Sequence, residues 1–268
     1  MNILDFKKMK IEKRPISMVT CYDYTSAKQV NDSEIDVVLV GDSLAMVMHG
    51  FPSTIHATIE MMALHTAAVS RGLTGPSGSN EKFLVADMPF LSVRKGIGPA
   101  MDCVDALMKA GAHSVKIEGV DGHEDVIQQI VGSGVPVMGH LGLTPQSIHQ
   151  FGGFKVQGRD EMAEDVFRQA KRTQELGCFA LVLECIPAPL AERISRELSI
   201  PTIGIGAGVG VDGQVLVFQD LLGMNPDFKP KFVRNFMNGK TELVTALNQF
   251  HREVVGRSFP GAKETYLT

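Results

Sequence analysis

Short, nearly continuous apolar runs recur along the chain, each followed by Gly, Pro or Asp and usually by a stretch with helical spacing. The runs cover residues 16–20, 36–41, 83–88, 114–118, 135–140, 179–184, 201–206 and 214–218. Runs of this length and character suit strands buried on both faces. Helical patterns are clearest over 57–71, 99–110, 159–176 and 187–198; in the third, Met162, Val166, Ala170 and Thr173 recur with charges between them. Strands alternating with helices imply a parallel sheet with right-handed crossovers. Eight such units predict an α/β fold closed into a (β/α)₈ TIM barrel. Only a glycine-rich stretch separates the last two runs, so the seventh helix is the weak point of the pattern. A final helix over about 229–254 is expected to close the outer ring, and the first dozen residues to form a helix across the barrel's bottom. The tail after Gly256 has no place in this scheme.

Composition narrows the picture. A barrel of about 250 residues would use nearly all of the 268 present, so residues 1–268 are expected to form one domain with an N-terminal helix and a C-terminal tail. Hydrophobic residues make up 44% and charged residues 21%, an ordinary globular balance rather than a disordered one. The net charge is −4 and no basic block is present, which argues against nucleic acid as a partner. The first fourteen residues carry charge throughout, unlike a signal peptide. The longest uncharged run, 126–154, is broken by glycine and proline and does not suit a membrane helix. Cys21, Cys103, Cys178 and Cys185 form no C-x-x-C pair and read as reduced thiols. A cytoplasmic address is expected.

The ends of the runs carry the chemistry. Asp42 and Ser43 follow the second run, and Asp87 sits at the end of the third. The fourth reads Val115-Lys116-Ile117-Glu118, the fifth ends on His140 and the sixth on Glu184. In this fold the C-terminal ends of the strands form the active-site face. Lys116 and Glu118 are two apart and share a face, which points them inward when Val115 and Ile117 face the helices. Buried charges must be paired, hydrogen-bonded or metal-bound. Four carboxylates, one lysine and one histidine at one rim are costly unless a cation and a substrate join them. Plainer readings exist for each: a helix cap for Asp42, a turn residue for Asp87, an internal ion pair for Lys116 and Glu118, a backbone partner for His140. The apolar run before Glu184 predicts a desolvated carboxylate of raised pKa, suited to a general base. Carboxylates without clustered His or Cys favour a hard cation such as Mg²⁺. Residues 208–213 match G-x-G-x-x-G, but a strand pattern follows them where a dinucleotide site needs a helix. They read as a tight loop. His56 and His65, in the second helical segment, read as structural or surface residues.

These strand ends resemble the ketopantoate hydroxymethyltransferase family. The resemblance rests on Met18-Val19-Thr20-Cys21-Tyr22-Asp23, Val40-Gly41-Asp42-Ser43-Leu44, Ala86-Asp87-Met88-Pro89-Phe90 and Val115-Lys116-Ile117-Glu118-Gly119. It continues through residues 139–146, 152–159, 183–187 and 200–223, in order, spanning about 16–235. Ala45 and Val120 stand where the family usually has glycine, and Ser53-Thr54-Ile55-His56-Ala57 differs from a proline-containing version. The resemblance implies a phosphoenolpyruvate/pyruvate-like barrel that transfers a hydroxymethyl group from 5,10-methylenetetrahydrofolate to 3-methyl-2-oxobutanoate, giving 2-dehydropantoate for pantothenate synthesis. It implies that Asp42 and Asp87 bind Mg²⁺, with Glu118 completing the metal site. It further implies that Ser43, Lys116 and His140 hold the substrate with the metal-bound aspartates, and that Glu184 takes the C3 proton. A homodecamer is implied as well.

Two rivals bracket this reading. Another Mg²⁺-dependent 2-oxo acid lyase or mutase on the same barrel would share the carboxylates, and folate dependence separates the two. A non-catalytic binding barrel would have no need to keep so many charges at one rim.

Overall fold

The computed structural model describes residues 1–75, 82–153, 155–227 and 230–266. Phe154, within one matching segment, and residue 229, the expected start of the last helix, lie outside them. Eight parallel strands close into a barrel in chain order: β1 Ile16–Thr20, β2 Val37–Val40, β3 Phe83–Asp87, β4 Ser114–Glu118, β5 Val137–Gly142, β6 Ala180–Glu184, β7 Thr202–Ile205 and β8 Gly213–Leu216. β1 pairs with β8, with Ile16 opposite Gly213, which completes the cylinder. Each strand falls within two residues of its apolar run.

The helices in order are α1 Ile3–Ile11, α2 Tyr24–Asn31, α3 Leu44–Val47, α4 Ile59–Gly72, α5 Ile97–Lys109 and α6 Glu124–Gly132. They continue with α7 Ile148–Phe151, α8 Met162–Glu175, α9 Ala188–Glu197, α10 Phe218–Leu221 and α11 Gly239–Val255. The four patterned segments are found as α4, α5, α8 and α9. The α2 and α6 helices, 8 and 9 residues long, add to the segments expected from the pattern. No helix separates β7 from β8, and the glycine-rich loop there runs straight into β8 at Gly213.

Period-two alternation divides each strand between the barrel interior and the helices. At the bottom, inward residues form an apolar plug: Ile16, Met18, Val37, Leu39, Phe83, Val85, Met138, Ala180, Val182, Ile203 and Val215. The expected N-terminal helix joins them, since Phe6 and Met9 of α1 belong to the same cluster. Phe6 packs edge-on against Phe83 and Phe179 at 5.1 and 5.0 Å between centroids. A capping box at Asn2 and Asp5 starts that helix. Continuing up the same strand faces, Val85 leads to Asp87 and Val182 to Glu184. The packing that closes the bottom therefore also sets which way the polar residues point at the top.

The chain divides into two compact units, Met1–Val217, which holds the barrel, and Phe218–Thr268. In the second, α11 starts ten residues later than the pattern suggested, and nearly all of its residues beyond Gly239 are exposed. Phe259 of the tail packs edge-on against Phe250. No described helix is long and apolar enough to cross a membrane.

Gly142 closes β5 opposite Glu184 of β6. Its φ is +97°, and an added Cβ would lie 2.2 Å from the Glu184 carbonyl oxygen and 2.7 Å from Ile186 Cγ2. Gly142→Ala is expected to destabilise the barrel by about 2 kcal/mol or more, through backbone strain and overpacking together. A thermal melt should show a fall of several degrees; an unchanged midpoint would mean that the β5–β6 edge yields freely.

Candidate active site

Register brings the predicted residues into neighbouring positions. Asp87 of β3 lies beside Lys116 of β4, and Glu118 of β4 beside His140 of β5. Asp42 and Ser43 follow β2 directly. Asp42, Asp87, Lys116 and His140 are all buried, each at 5% exposure or less. The Asp87 carboxylate accepts the Asp42 backbone N–H through Oδ2 at 3.0 Å, and its Oδ1 lies 3.1 Å from Lys116 Nζ. Asp42 does not cap α3, whose N-cap is Ser43, and its carboxylate accepts from Gln146 instead. Lys116 pairs with Asp87, not with Glu118 as the internal ion-pair reading supposed.

Lys116 Nζ also lies 3.1 Å from His140 Nδ1. An ammonium only donates, so Nδ1 must be the lone-pair nitrogen and the imidazole proton sits on Nε2. That nitrogen is 3.2 Å from Glu184 Oε2, though misaligned for a formed hydrogen bond. Burial, followed by the Lys116 charge, holds the His140 pKa below its ordinary value and favours this neutral ring. Glu184 is less desolvated than the apolar run before it suggests, with 15% of its side chain exposed. Directly after it, Cys185 takes the left-handed conformation at φ 47°, a cost of about 1–2 kcal/mol for a non-glycine residue. The sharp turn carries the chain away from the mouth toward α9. Burial pushes the Cys185 thiol up to about 12, which removes thiolate chemistry there.

Two residues not assigned to the site from sequence complete it. Tyr22, buried and just after β1, places its hydroxyl 2.8 Å from Ser43 Oγ. Gln146, in the turn Pro145–Ser147 after β5, donates Nε2 to Asp42 Oδ2 at 2.9 Å, and its backbone N–H to Glu118 Oε2 at 3.0 Å. The family departures lie around this core. Ala45 is fully buried in α3, Val120 is buried just beyond Glu118, and His56 stacks on Phe51 at 4.9 Å. His56 lies outside α4; His65 lies within it, its Nδ1 2.5 Å from the Tyr22 carbonyl and its Nε2 2.9 Å from His49 Nε2.

The electrostatics are unbalanced. Burial, then Glu118 and Asp87, raise the Asp42 pKa well above its ordinary value, against the pull of Lys116 and Gln146. Glu118 is pushed up to about 7, chiefly by burial. Burial alone would favour a neutral Lys116 amine, but Asp87, Glu118 and Asp42 together override it and keep it charged. Buried Glu118 Oε1 makes no hydrogen bond, and Asp87 Oδ1 meets only the Lys116 ammonium. Among the described residues no three His, Cys, Asp or Glu form a ready-made metal cage. Mg²⁺ needs none, since it binds through one or two carboxylates and keeps waters and substrate oxygens. The unbonded Glu118 Oε1 and three buried carboxylates set against one ammonium fit such an ion.

The chain matches the family model described as ketopantoate hydroxymethyltransferase over residues 1–262. It is 55% identical over 265 residues to the 3-methyl-2-oxobutanoate hydroxymethyltransferase of Bdellovibrio bacteriovorus, covering 98% of each chain. Against the enzyme of the same name from Legionella pneumophila strain Lens it is 51% identical over 268 residues, covering 99% of this chain and 100% of that one. Among solved structures, phosphonopyruvate hydrolase in complex with oxalate and Mg²⁺ superposes with a TM-score of 0.65 at 10% identity, over 98% of this chain and 93% of that one. That likeness concerns the fold alone, the closed barrel of eight parallel strands.

Glu118 gives the charge imbalance a measurable sign. Its pKa in the folded protein is above the ordinary 4.5, so its contribution to stability is fully present below about 4.5 and lost as pH rises through about 7. Glu118→Gln is neutral at every pH. In chelator, its melting temperature should match the parent's near pH 4.5 and rise above it by pH 7.5. The gap should correspond to on the order of 1–3 kcal/mol. A gap that did not change with pH would contradict the imbalance.

Proposed function

Because the chain belongs to the ketopantoate hydroxymethyltransferase family, we propose that the site above transfers a hydroxymethyl group to 3-methyl-2-oxobutanoate, making 2-dehydropantoate for pantothenate synthesis. The observation that carries the reading is the convergence of Asp42, Asp87, Lys116, His140 and Glu184 at one barrel mouth. Asp42 and Asp87 would hold Mg²⁺, with Glu118 completing the site directly or through a water. When bound, the cation supplies the positive charge that a keto oxygen needs as it gains electron density. A barrel of the same fold holds oxalate and Mg²⁺, and oxalate, like a 2-oxo acid, presents adjacent oxygens suited to a chelated ion.

The chain's own residues supply the remaining steps. Lys116 places its ammonium against the substrate's carboxylate and the charge that develops beside it. Ser43, oriented by Tyr22, donates to a substrate oxygen. His140 Nε2–H, without a formed hydrogen bond, is a donor for another. Glu184 removes the proton from C3, and the resulting carbon nucleophile bonds to the one-carbon unit. That unit is at the oxidation level of formaldehyde; water provides the new hydroxyl oxygen and tetrahydrofolate leaves. The family supports 5,10-methylenetetrahydrofolate as the donor. A cytoplasmic address and a homodecamer belong to the same proposal. The exposed Leu243, Leu247 and Phe250 of α11 support assembly with further copies.

A rival lyase or mutase reaction is tested by turnover with 3-methyl-2-oxobutanoate, methylenetetrahydrofolate and Mg²⁺, each omitted in turn. Product is expected only with all three present, and turnover without folate would favour the rival. Glu184→Gln isolates the first step. It should leave substrate binding nearly intact while slowing C3 proton exchange with deuterated water by about 10²–10⁴-fold. Exchange at the parent rate would remove Glu184 as the base.

A further inference from the structure

We infer that Gln146 is a positioning residue that sets the cation affinity of the site by tying three strand ends together. The inference rests on the metal reading above and deepens it. The Gln146 side-chain amide donates to Asp42 Oδ2 at 2.9 Å and to the Met88 carbonyl at 3.0 Å, and its backbone N–H donates to Glu118 Oε2 at 3.0 Å. One residue thus links the ends of β2, β3 and β4 to the turn after β5. Both groups facing the side chain only accept hydrogen bonds, so the NH₂ end of the amide must meet them.

The consequence concerns Asp42. Its carboxylate is buried among those of Glu118 and Asp87, and Gln146 is its one formed side-chain hydrogen-bond donor among the described residues. A hydrogen bond from an amide to a carboxylate is stronger than one between two neutral groups. It occupies Oδ2 and fixes the rotation of the carboxylate, leaving Oδ1 as the oxygen presented to a cation. The backbone bond does the same for Glu118, holding Oε2 and leaving Oε1 unpartnered. A side chain without the amide would leave Asp42 to turn toward other donors, so the site would have to be reordered each time a cation entered. Gln146 touches none of the groups assigned to proton transfer, so its effect should fall on cation affinity.

The test is Mn²⁺ binding without substrate, followed by the electron paramagnetic resonance signal of free Mn²⁺, for the parent and Gln146→Met. Met keeps the length of the side chain and removes the donor. The variant should bind Mn²⁺ about tenfold or more weakly, the loss of one charge-assisted bond. The Mg²⁺ concentration for half-maximal activity should rise by a similar factor, while kcat at saturating Mg²⁺ stays within about threefold, the split expected of a group outside the chemical step. Gln146→Asn, whose amide is one carbon too short to reach both acceptors, should also bind Mn²⁺ more weakly than the parent. Parental Mn²⁺ affinity in Gln146→Met, or kcat lost at saturating metal, would overturn the inference. So would unfolding of both metal-free variants, which would make Gln146 a support of the fold. If the parent itself failed to bind Mn²⁺, the metal reading would fall instead.

Discussion

Asp42, Asp87 and Glu118 are gathered out of water within one another's electrostatic reach, and Lys116 is the ammonium placed among them. In a medium less polarisable than water, such an arrangement costs several kcal/mol unless positive charge compensates it. The barrel accepts this cost at its mouth because its bottom is packed with aliphatic and aromatic side chains, closed from below by Phe6 and Met9. Stability is concentrated at one end of the cylinder and chemistry at the other. The carboxylates are therefore held in a geometry they would not choose, and the cation proposed above would relieve the strain.

Strand periodicity connects the two ends. A residue two places beyond a core position points into the same interior, so Val85 fixes the direction of Asp87 and Val182 that of Glu184. Strand pairing then places Lys116 next to Asp87 and His140 next to Glu118. The neutral form of His140 follows from its burial and then from the ammonium at its Nδ1. The remaining proton sits on Nε2, 3.2 Å from Glu184 Oε2 but without a formed hydrogen bond to it.

Much of this was legible before any coordinates. Strands buried on both faces give continuous apolar runs, and charge at the end of such a run stands out against them. Asp42, Asp87, Lys116, Glu118, His140 and Glu184 were all visible in that way. The contacts that organise them were not. Gln146 reaches Asp42 across 104 positions of chain, and no local period registers such a link. Tyr22 follows an apolar run and reads as part of the core until its hydroxyl is seen beside Ser43. Lys116 and Glu118 share a strand face, as the spacing required, yet the lysine's partner is on the neighbouring strand. The short helices α2 and α6 span too few turns for a clear period.

The central claim is that the buried carboxylates form one binding unit with a divalent cation and the substrate. Titration calorimetry of 3-methyl-2-oxobutanoate into the protein, with Mg²⁺ and then with chelator, tests it most directly. The account predicts that substrate binds in Mg²⁺, that its affinity collapses in chelator, and that Asp42→Ala and Asp87→Ala lose metal and substrate binding together while remaining folded. Substrate affinity that was the same with and without the cation would contradict it.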